Sequence, residues 1–344
     1  MRLVRGVLAL VVFGLALEFC ARFDDLVRYG APFFSNYTYD AMFTVDSLGR
    51  TGKPNASYRD YHLNSLGYRG PDLRPGGTRV ICIGASETFG LYEDPGKDFP
   101  RQLETDLNSD THSQEYQVVN AGLVGQTITT AAVRIPQYVE RVQPRFAVIY
   151  PTPANYIWLP WIQKAPAVQP AAQTKLQSRA LDKIRDAIKR FSPPDLLDYI
   201  RRKDIDREAA LYGKPMENVS DESVQVFRSD LSSMVDSLRQ HGVVPVLVTH
   251  ANRFGTTLSE KDRQQLTAWR RFYPMLTEIG FLRMDRRMNE AIRSLAAEKG
   301  VLLVDGAAIV PPGDEYFGDA IHFTTKGSSL LASAIAEKIL QQSH

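Results

Sequence analysis

Cysteine and histidine are scarce in this chain, with two and six among 344 residues. Two cysteines exclude a disulfide framework. Cys20 ends an apolar segment and Cys82 lies in a short strand-like run, so nothing in the sequence brings them together. No cluster of Cys and His has zinc-ligand spacing, and no metal or other cofactor is expected. An excess of charge of one sign is also missing. The 41 basic and 39 acidic residues give a formal net charge of +2, which offers no electrostatic footprint for nucleic acid. After the N-terminal segment there is no long hydrophobic run, so a multi-span membrane chain is excluded. Internal repeats and low-complexity tracts are absent. What remains is the composition of an ordinary folded protein, 44% hydrophobic and 23% charged. The length is ample for a large buried core in one or two domains.

Arg2 and Arg5 precede an apolar run over residues 6–17, which Glu18 interrupts. That run is short for a spanning helix and resembles the core of a signal peptide. No small-x-small cleavage site follows it, and Phe19 before Cys20 is too bulky for a lipoprotein site. Residues 1–24 are therefore expected to form an uncleaved signal anchor, with a cleaved signal peptide or a buried helix as the alternatives. The basic residues ahead of the run favour a cytoplasmic N-terminus and an exported, periplasmic body. Residues 25–76 are aromatic and turn-rich and read as an N-terminal extension without a long helical period. Within them, Asn64-Ser65-Leu66-Gly67-Tyr68-Arg69-Gly70 suggests a short strand or hairpin with two glycine turns. Packing on the main domain is one role for this segment, and substrate contact through Tyr68 or Arg69 is the other.

From residue 77 the texture changes. Short continuous apolar runs at 80–83, 117–120, 146–150, 243–249 and 301–304 read as strands buried on both faces. Amphipathic helical patterns occupy 223–240, 284–299 and 325–341, the first two ending at a glycine. Five strands alternating with helices predict an α/β fold with a doubly wound parallel sheet, and on such sheets ligands bind at the carboxyl ends of the strands. Residues 158–220 break the rhythm. They are rich in Pro and Ala, then in charge, and read as a helical insertion, either a cap over the sheet end or a solvated helical pair.

Chemistry should therefore follow the strands. The first runs into Gly84-Ala85-Ser86-Glu87-Thr88-Phe89-Gly90. A serine on a tight strand-to-helix turn presents both its hydroxyl and its own N–H outward. The turn resembles a nucleophile elbow, although Thr88 stands where that motif has its second glycine. Near the other end, Asp319-Ala320-Ile321-His322 sets a carboxylate three residues from an imidazole. Asp319 can fix the ring tautomer, and His322 can serve Ser86 as general base and then the leaving group as general acid. Thr324 or Thr325 would cap the last helix. The second strand leads into a glycine-rich turn in which Gly125 or Gly122 could offer an N–H to an oxyanion, and Asn155 after the third strand could offer a side-chain amide. The oxyanion hole would then comprise Ser86, Gly125 and Asn155. His250 and Asp305 follow the fourth and fifth strands, as a substrate contact or structural residue and as a loop cap. Tyr156, Trp158 and Trp161 could stack on a sugar or pack beneath the insertion.

These four blocks resemble the SGNH (GDSL-like) hydrolases. Ser86 matches the nucleophile of the first block, Gly125 the oxyanion glycine of the second and Asn155 the asparagine of the third, while Asp319 and His322 match the last block's Asp-x-x-His. The resemblance covers about residues 77–344 without the insertion. It implies a flavodoxin-like three-layer α/β/α sandwich around a five-stranded parallel sheet, and metal-free ester hydrolysis or acyl transfer. Two positions depart from the pattern: Ala85 replaces the Asp of Gly-Asp-Ser, and Pro153 stands where the third block has glycine. The Asn-Ser-x-Gly-Tyr-Arg-Gly segment is similar to that of exported bacterial members, some of which accompany membrane-bound O-acyltransferases and modify cell-surface polysaccharides. The first expectation is thus a membrane-anchored serine esterase acting on short acyl esters, O-acetyl groups on carbohydrate among them. An O-acyltransferase with the same triad, and a non-catalytic polysaccharide-binding or assembly protein, are the alternatives.

Overall fold

The computed structural model describes residues 2–109, 115–158, 177–193, 196, 199–200, 202–207, 214–270 and 272–343. The chain opens with α1 (Arg2–Tyr29) and continues into two small antiparallel hairpins. One pairs β1 (Phe43–Asp46) with β2 (Gly49–Gly52), the other β3 (Ser57–Tyr58) with β4 (Tyr61–His62). The main body then runs β5 (Thr78–Gly84), α2 (Ser86–Phe89), α3 (Phe99–Ser109), β6 (Tyr116–Asn120), α4 (Ile128–Ala132), α5 (Ile135–Val142) and β7 (Phe146–Tyr150). A 3-10 turn (Pro153–Trp158) follows, then α6 (Arg179–Phe191), α7 (Asp221–Gln240), β8 (Val244–Val248), α8 (Glu260–Arg270) and α9 (Glu278–Lys299). β9 (Leu302–Val304), α10 (Gly306–Ile309) and α11 (Thr325–Ser343) complete it.

The five long strands form one parallel sheet in the order β6-β5-β7-β8-β9. Counted along the sheet alone this is 2-1-3-4-5, the flavodoxin-like doubly wound order, whose switch point lies between the first and third strands. Side chains on a strand alternate between faces, and each face has its own core. Ile81, Ile83, Ile149 and Leu247 pack with Ile135, Phe227, Leu231 and Phe281 from α5, α7 and α9. Val80, Cys82, Val148 and Val246 pack with Leu103, Leu107, Leu331 and Ile335 from α3 and α11. Burying each such aliphatic side chain stabilises the fold by about 1.5–3 kcal/mol, so a continuous apolar strand is affordable only with helices on both sides.

Some boundaries differ from the sequence reading. The helix expected from residue 284 begins at Glu278, because Thr277 caps it by accepting from the Gly280 N–H at 3.0 Å. The segment boundary expected at residue 24 falls inside α1, which runs on to Tyr29. Asp24 and Asp25 both pair with Lys183 of α6, at 2.7 and 2.8 Å, so this end of α1 is tied to the body. Glu18, which interrupts the apolar run, accepts from the Ser178 hydroxyl at 2.7 Å and from the N–H groups of Arg179 and Ala180. It thereby occupies the N-terminus of α6, where orphan donors and the helix dipole favour a carboxylate. The stretch Val4–Tyr29 is long and apolar enough to cross a bilayer, a length and composition that a signal sequence shares. Of the expected insertion, α6 packs along α1, and residues 159–176 lie outside the described set.

Arg69 pins the N-terminal extension to the sheet. It is 6% exposed, its Nη1 donates to the carbonyls of Phe89 and Gly90, and its Nε lies 3.7 Å from Asp98. Its backbone N–H donates to Asn120 O at 3.1 Å, and the Asn120 side chain donates to Asp98 and Thr88 O, both at 2.9 Å. Tyr68 packs against Tyr138. Both residues therefore serve packing, and neither borders the cavity described below. Removing one partner of a buried ion pair strands the other. Arg69→Met should cost about 3–5 kcal/mol of unfolding free energy by that principle, read from the denaturant midpoint of the purified protein. A loss below about 1 kcal/mol, the scale of a surface pair, would contradict this role.

Candidate active site

β5 ends in a turn too tight for a side chain at Gly84. A Cβ there would lie 2.1 Å from Thr88 Oγ1 and 2.6 Å from Tyr150 O. The chain reverses through Ala85 and enters α2 at Ser86, whose N–H is an orphan donor at the helix start. Ser86 is half-buried and borders a cavity of about 580 Å³ at the carboxyl ends of the strands. Its hydroxyl donates to Glu87 Oε2 at 3.1 Å.

Asp319 and His322 border the same cavity. The loop between them folds over the carboxylate: Asp319 Oδ1 accepts from the backbone N–H groups of Ile321 and His322 at 3.0 and 2.9 Å. His322 Nδ1 lies 2.8 Å from Asp319 Oδ2, which assigns the proton to Nδ1 and leaves Nε2 as the basic nitrogen. Nε2 is buried and has no partner among the described residues. Burial opposes the imidazolium, but the Asp319 hydrogen bond and the charges of Asp319, Glu87 and Glu93 outweigh it and hold the His322 pKa above the usual 6.5. For Asp319, burial favours the neutral acid, and the bonds from His322 and the loop N–H groups reverse that and lower its pKa. Thr324 caps α11 by accepting from Gly327 N–H at 3.3 Å, while the Thr325 hydroxyl donates to Asp94, so the loop is braced from both sides.

Of the two candidate glycines, Gly125 borders the cavity and has φ +81°, a conformation glycine adopts without strain. Gly122 spends its N–H on Asn120 Oδ1 at 2.9 Å and sits against the backbone of Thr88 and Phe89. Asn155 falls in the 3-10 turn Pro153–Trp158 directly after β7, and its side chain lies outside the described set. Trp161 and the Trp158 side chain lie outside it as well. Tyr156 donates to Asp230 at 2.9 Å and stands edge-on to Phe227, a packing role. Asp305 accepts from Thr249 and Arg293, bracing the end of β9.

Sequence reasoning missed three parts of the site. Tyr92 stands against the pair, its ring 5.7 Å from that of His322. One apolar wall comes from α8 and the loop after it, through Ala268, Trp269, Phe272 and Tyr273. A single amphipathic turn with an aromatic run behind it was the only available sign of this wall. The third part is Glu87, fully buried although it neighbours the exposed face of Ser86. It accepts from Thr152 Oγ1 at 3.0 Å and faces His250 Nε2 at 3.3 Å. His250 is itself fully buried and does not border the cavity, so it is structural rather than a substrate contact.

No protein-family model matches this chain, and no curated protein does. Solved structures similar to it include the lipase/acylhydrolase from Enterococcus faecalis, 16% identical over 77% of this chain and 96% of that one, with a TM-score of 0.45. A variant of an acetyl xylan esterase from Geobacillus stearothermophilus is 17% identical over 76% and 94%, with a TM-score of 0.45. An alpha/beta hydrolase enzyme from the metagenome of Lake Arreo, Spain, is 15% identical over 76% and 94%, again at 0.45.

Because the His322 pKa is raised, the ring should stay protonated to higher pH than a free imidazole, and the neutral base should accumulate only above that point. NMR titration of its Cε1–H should give a midpoint above 6.5, falling in Asp319→Asn. A midpoint at or below 6.5 in the unaltered protein would contradict the described pairing.

Proposed function

We propose that this chain is a serine ester hydrolase of the SGNH kind. The observation that carries the reading is the meeting of Ser86, Gly125, Asp319 and His322, from three separate stretches of chain, around one cavity. Within it the basic nitrogen of His322 is buried and has no partner among the described residues. In this reaction the Ser86 hydroxyl turns from Glu87 to His322, Oγ attacks the ester carbonyl, and His322 Nε2 takes its proton. Asp319 stabilises the resulting imidazolium. The oxyanion is held by the N–H groups of Ser86 and Gly125 and the side-chain amide of Asn155, each such donor contributing about 3–4 kcal/mol to the transition state. His322 then protonates the leaving alkoxide, leaving an acyl group on Ser86, and afterwards activates the water that releases the acid.

The substrate class is an ester with a short acyl group, O-acetyl groups on carbohydrate included. Leu91, Val124 and the α8 wall give the cavity an apolar side suited to the acyl group, while Ser86, Asp319 and His322 supply its polar end. The length and composition of Val4–Tyr29 support an anchoring role, with the body carried outside the cytoplasm.

The full-length protein in detergent should release p-nitrophenol from p-nitrophenyl acetate. Ser86→Ala should lower the rate by roughly 10⁴-fold or more, since triad members act as a unit. A sugar acceptor added to the assay separates two versions of the chemistry: free acetate marks the hydrolase, acetylated sugar the transferase. An unchanged rate in Ser86→Ala would overturn the reading, and a folded but inactive protein would favour the binding role.

A further inference from the structure

Behind the nucleophile, three ionisable groups that the ester reaction does not use stand in one buried line. Glu87 comes from α2, His250 from the loop after β8, and Asp285 from α9; they are 1%, 0% and 3% exposed. Asp285 Oδ1 lies 2.5 Å from His250 Nδ1, His250 Nε2 lies 3.3 Å from Glu87 Oε1, and Glu87 Oε2 accepts from Ser86 Oγ at 3.1 Å. The line is braced along its length. Asn289 bonds the backbone of His250 on both sides, at 2.7 and 2.8 Å, and Asn252 donates to Asp285 at 2.8 Å.

Both ring nitrogens of His250 face carboxylates. A neutral imidazole could donate to only one of them, whereas the imidazolium donates to both. Burial opposes that charge, but the two acids overcome it and raise the His250 pKa to about 10. Two carboxylates and one imidazolium leave one net negative charge, and it lies beside the nucleophile. Such a charge is costly to bury unless it is paired and hydrogen-bonded. Thr152 and His250 would satisfy Glu87 by themselves; its second oxygen nevertheless also meets the serine hydroxyl.

We propose that Glu87, positioned by His250 and Asp285, holds the Ser86 hydroxyl in the resting enzyme and supplies, with Asp319, the negative charge that the His322 imidazolium meets during the reaction. This rests on the serine hydrolase reading. The proton of Ser86 still goes to His322, because Glu87 stays ionised. Burial disfavours its charge, but the bond and charge of His250 and the charge of His322 prevail. Among the described residues, the titratable neighbours of Glu87 are His250, Tyr150, Tyr273 and His322, and those of His322 are Asp319, Tyr92, Glu87 and Glu93.

The test is the rate at which a fluorophosphonate labels Ser86 as a function of pH. In Glu87→Gln the acid limb of that profile should move to lower pH, since the imidazolium loses a stabilising charge. Glu87→Asp keeps the charge one methylene away, and its limb should lie between those of the unaltered protein and Glu87→Gln. It also serves should the amide variant not fold. A purely structural role would change the yield of folded protein and leave the limb in place. Labelling of Ser86 with an unmoved limb overturns the inference and leaves the hydrolase reading standing. No labelling of Ser86 in the folded, unaltered protein overturns both.

Discussion

Residue 84 has room for a hydrogen and nothing larger, because Thr88 Oγ1 and Tyr150 O close in on the position where a Cβ would stand. That restriction lets β5 turn within two residues and start a helical turn against the edge of the sheet. Successive residues on such a turn point about 100° apart. Ser86 therefore meets the cavity while Glu87, its neighbour, is driven into the interior. The serine's placement and the acid's burial are two results of one geometric requirement. The parallel sheet does the rest. Its strands are covered by helices on both faces, so polar groups gather where the strands end, and the segments after β5 and β6 and the loop before α11 converge there.

The electrostatics follow from this convergence. His322 stands among Asp319, Glu87 and Glu93, an arrangement that favours its charged form in spite of burial. An imidazole so placed reaches its neutral state at a higher pH and binds its proton more firmly once it has it. The accumulated negative charge would be costly without a counterweight, and His250, clasped between Asp285 and Glu87, supplies one inside the fold. Stability is given up to charge beside Ser86, the pattern expected where local rules are broken for a function.

Much of the scaffold was legible because its signals are local. An apolar run of four or five residues between turn signals reads as a buried strand, and a glycine after an amphipathic stretch marks a helix end. Ser86 could be singled out by its place after a strand, and Asp319 and His322 by their spacing, signals that carry meaning without contacts. Glu87 could not. A lone acid beside a serine reads as solvent-exposed, and its burial depends on His250, 163 positions away along the chain. The packing expected of the Arg69 segment is what the structure shows, but its partners, two backbone carbonyls and one distant carboxylate, are ones no local pattern reveals. The start of α9 lies six residues before the expected Met284, because Thr277 caps a first turn there. The aromatic wall from α8 offered only a short amphipathic signal, too weak to place it at the cavity.

The central claim is that Ser86 becomes acylated. Mass spectrometry of the protein quenched in acid during turnover of p-nitrophenyl acetate tests it most directly. The account predicts an added acetyl group on the peptide containing Ser86, formed within the first turnover and lost on standing at neutral pH. Turnover with that peptide unmodified, or with the acetyl group carried at equal rate by another residue, would contradict it.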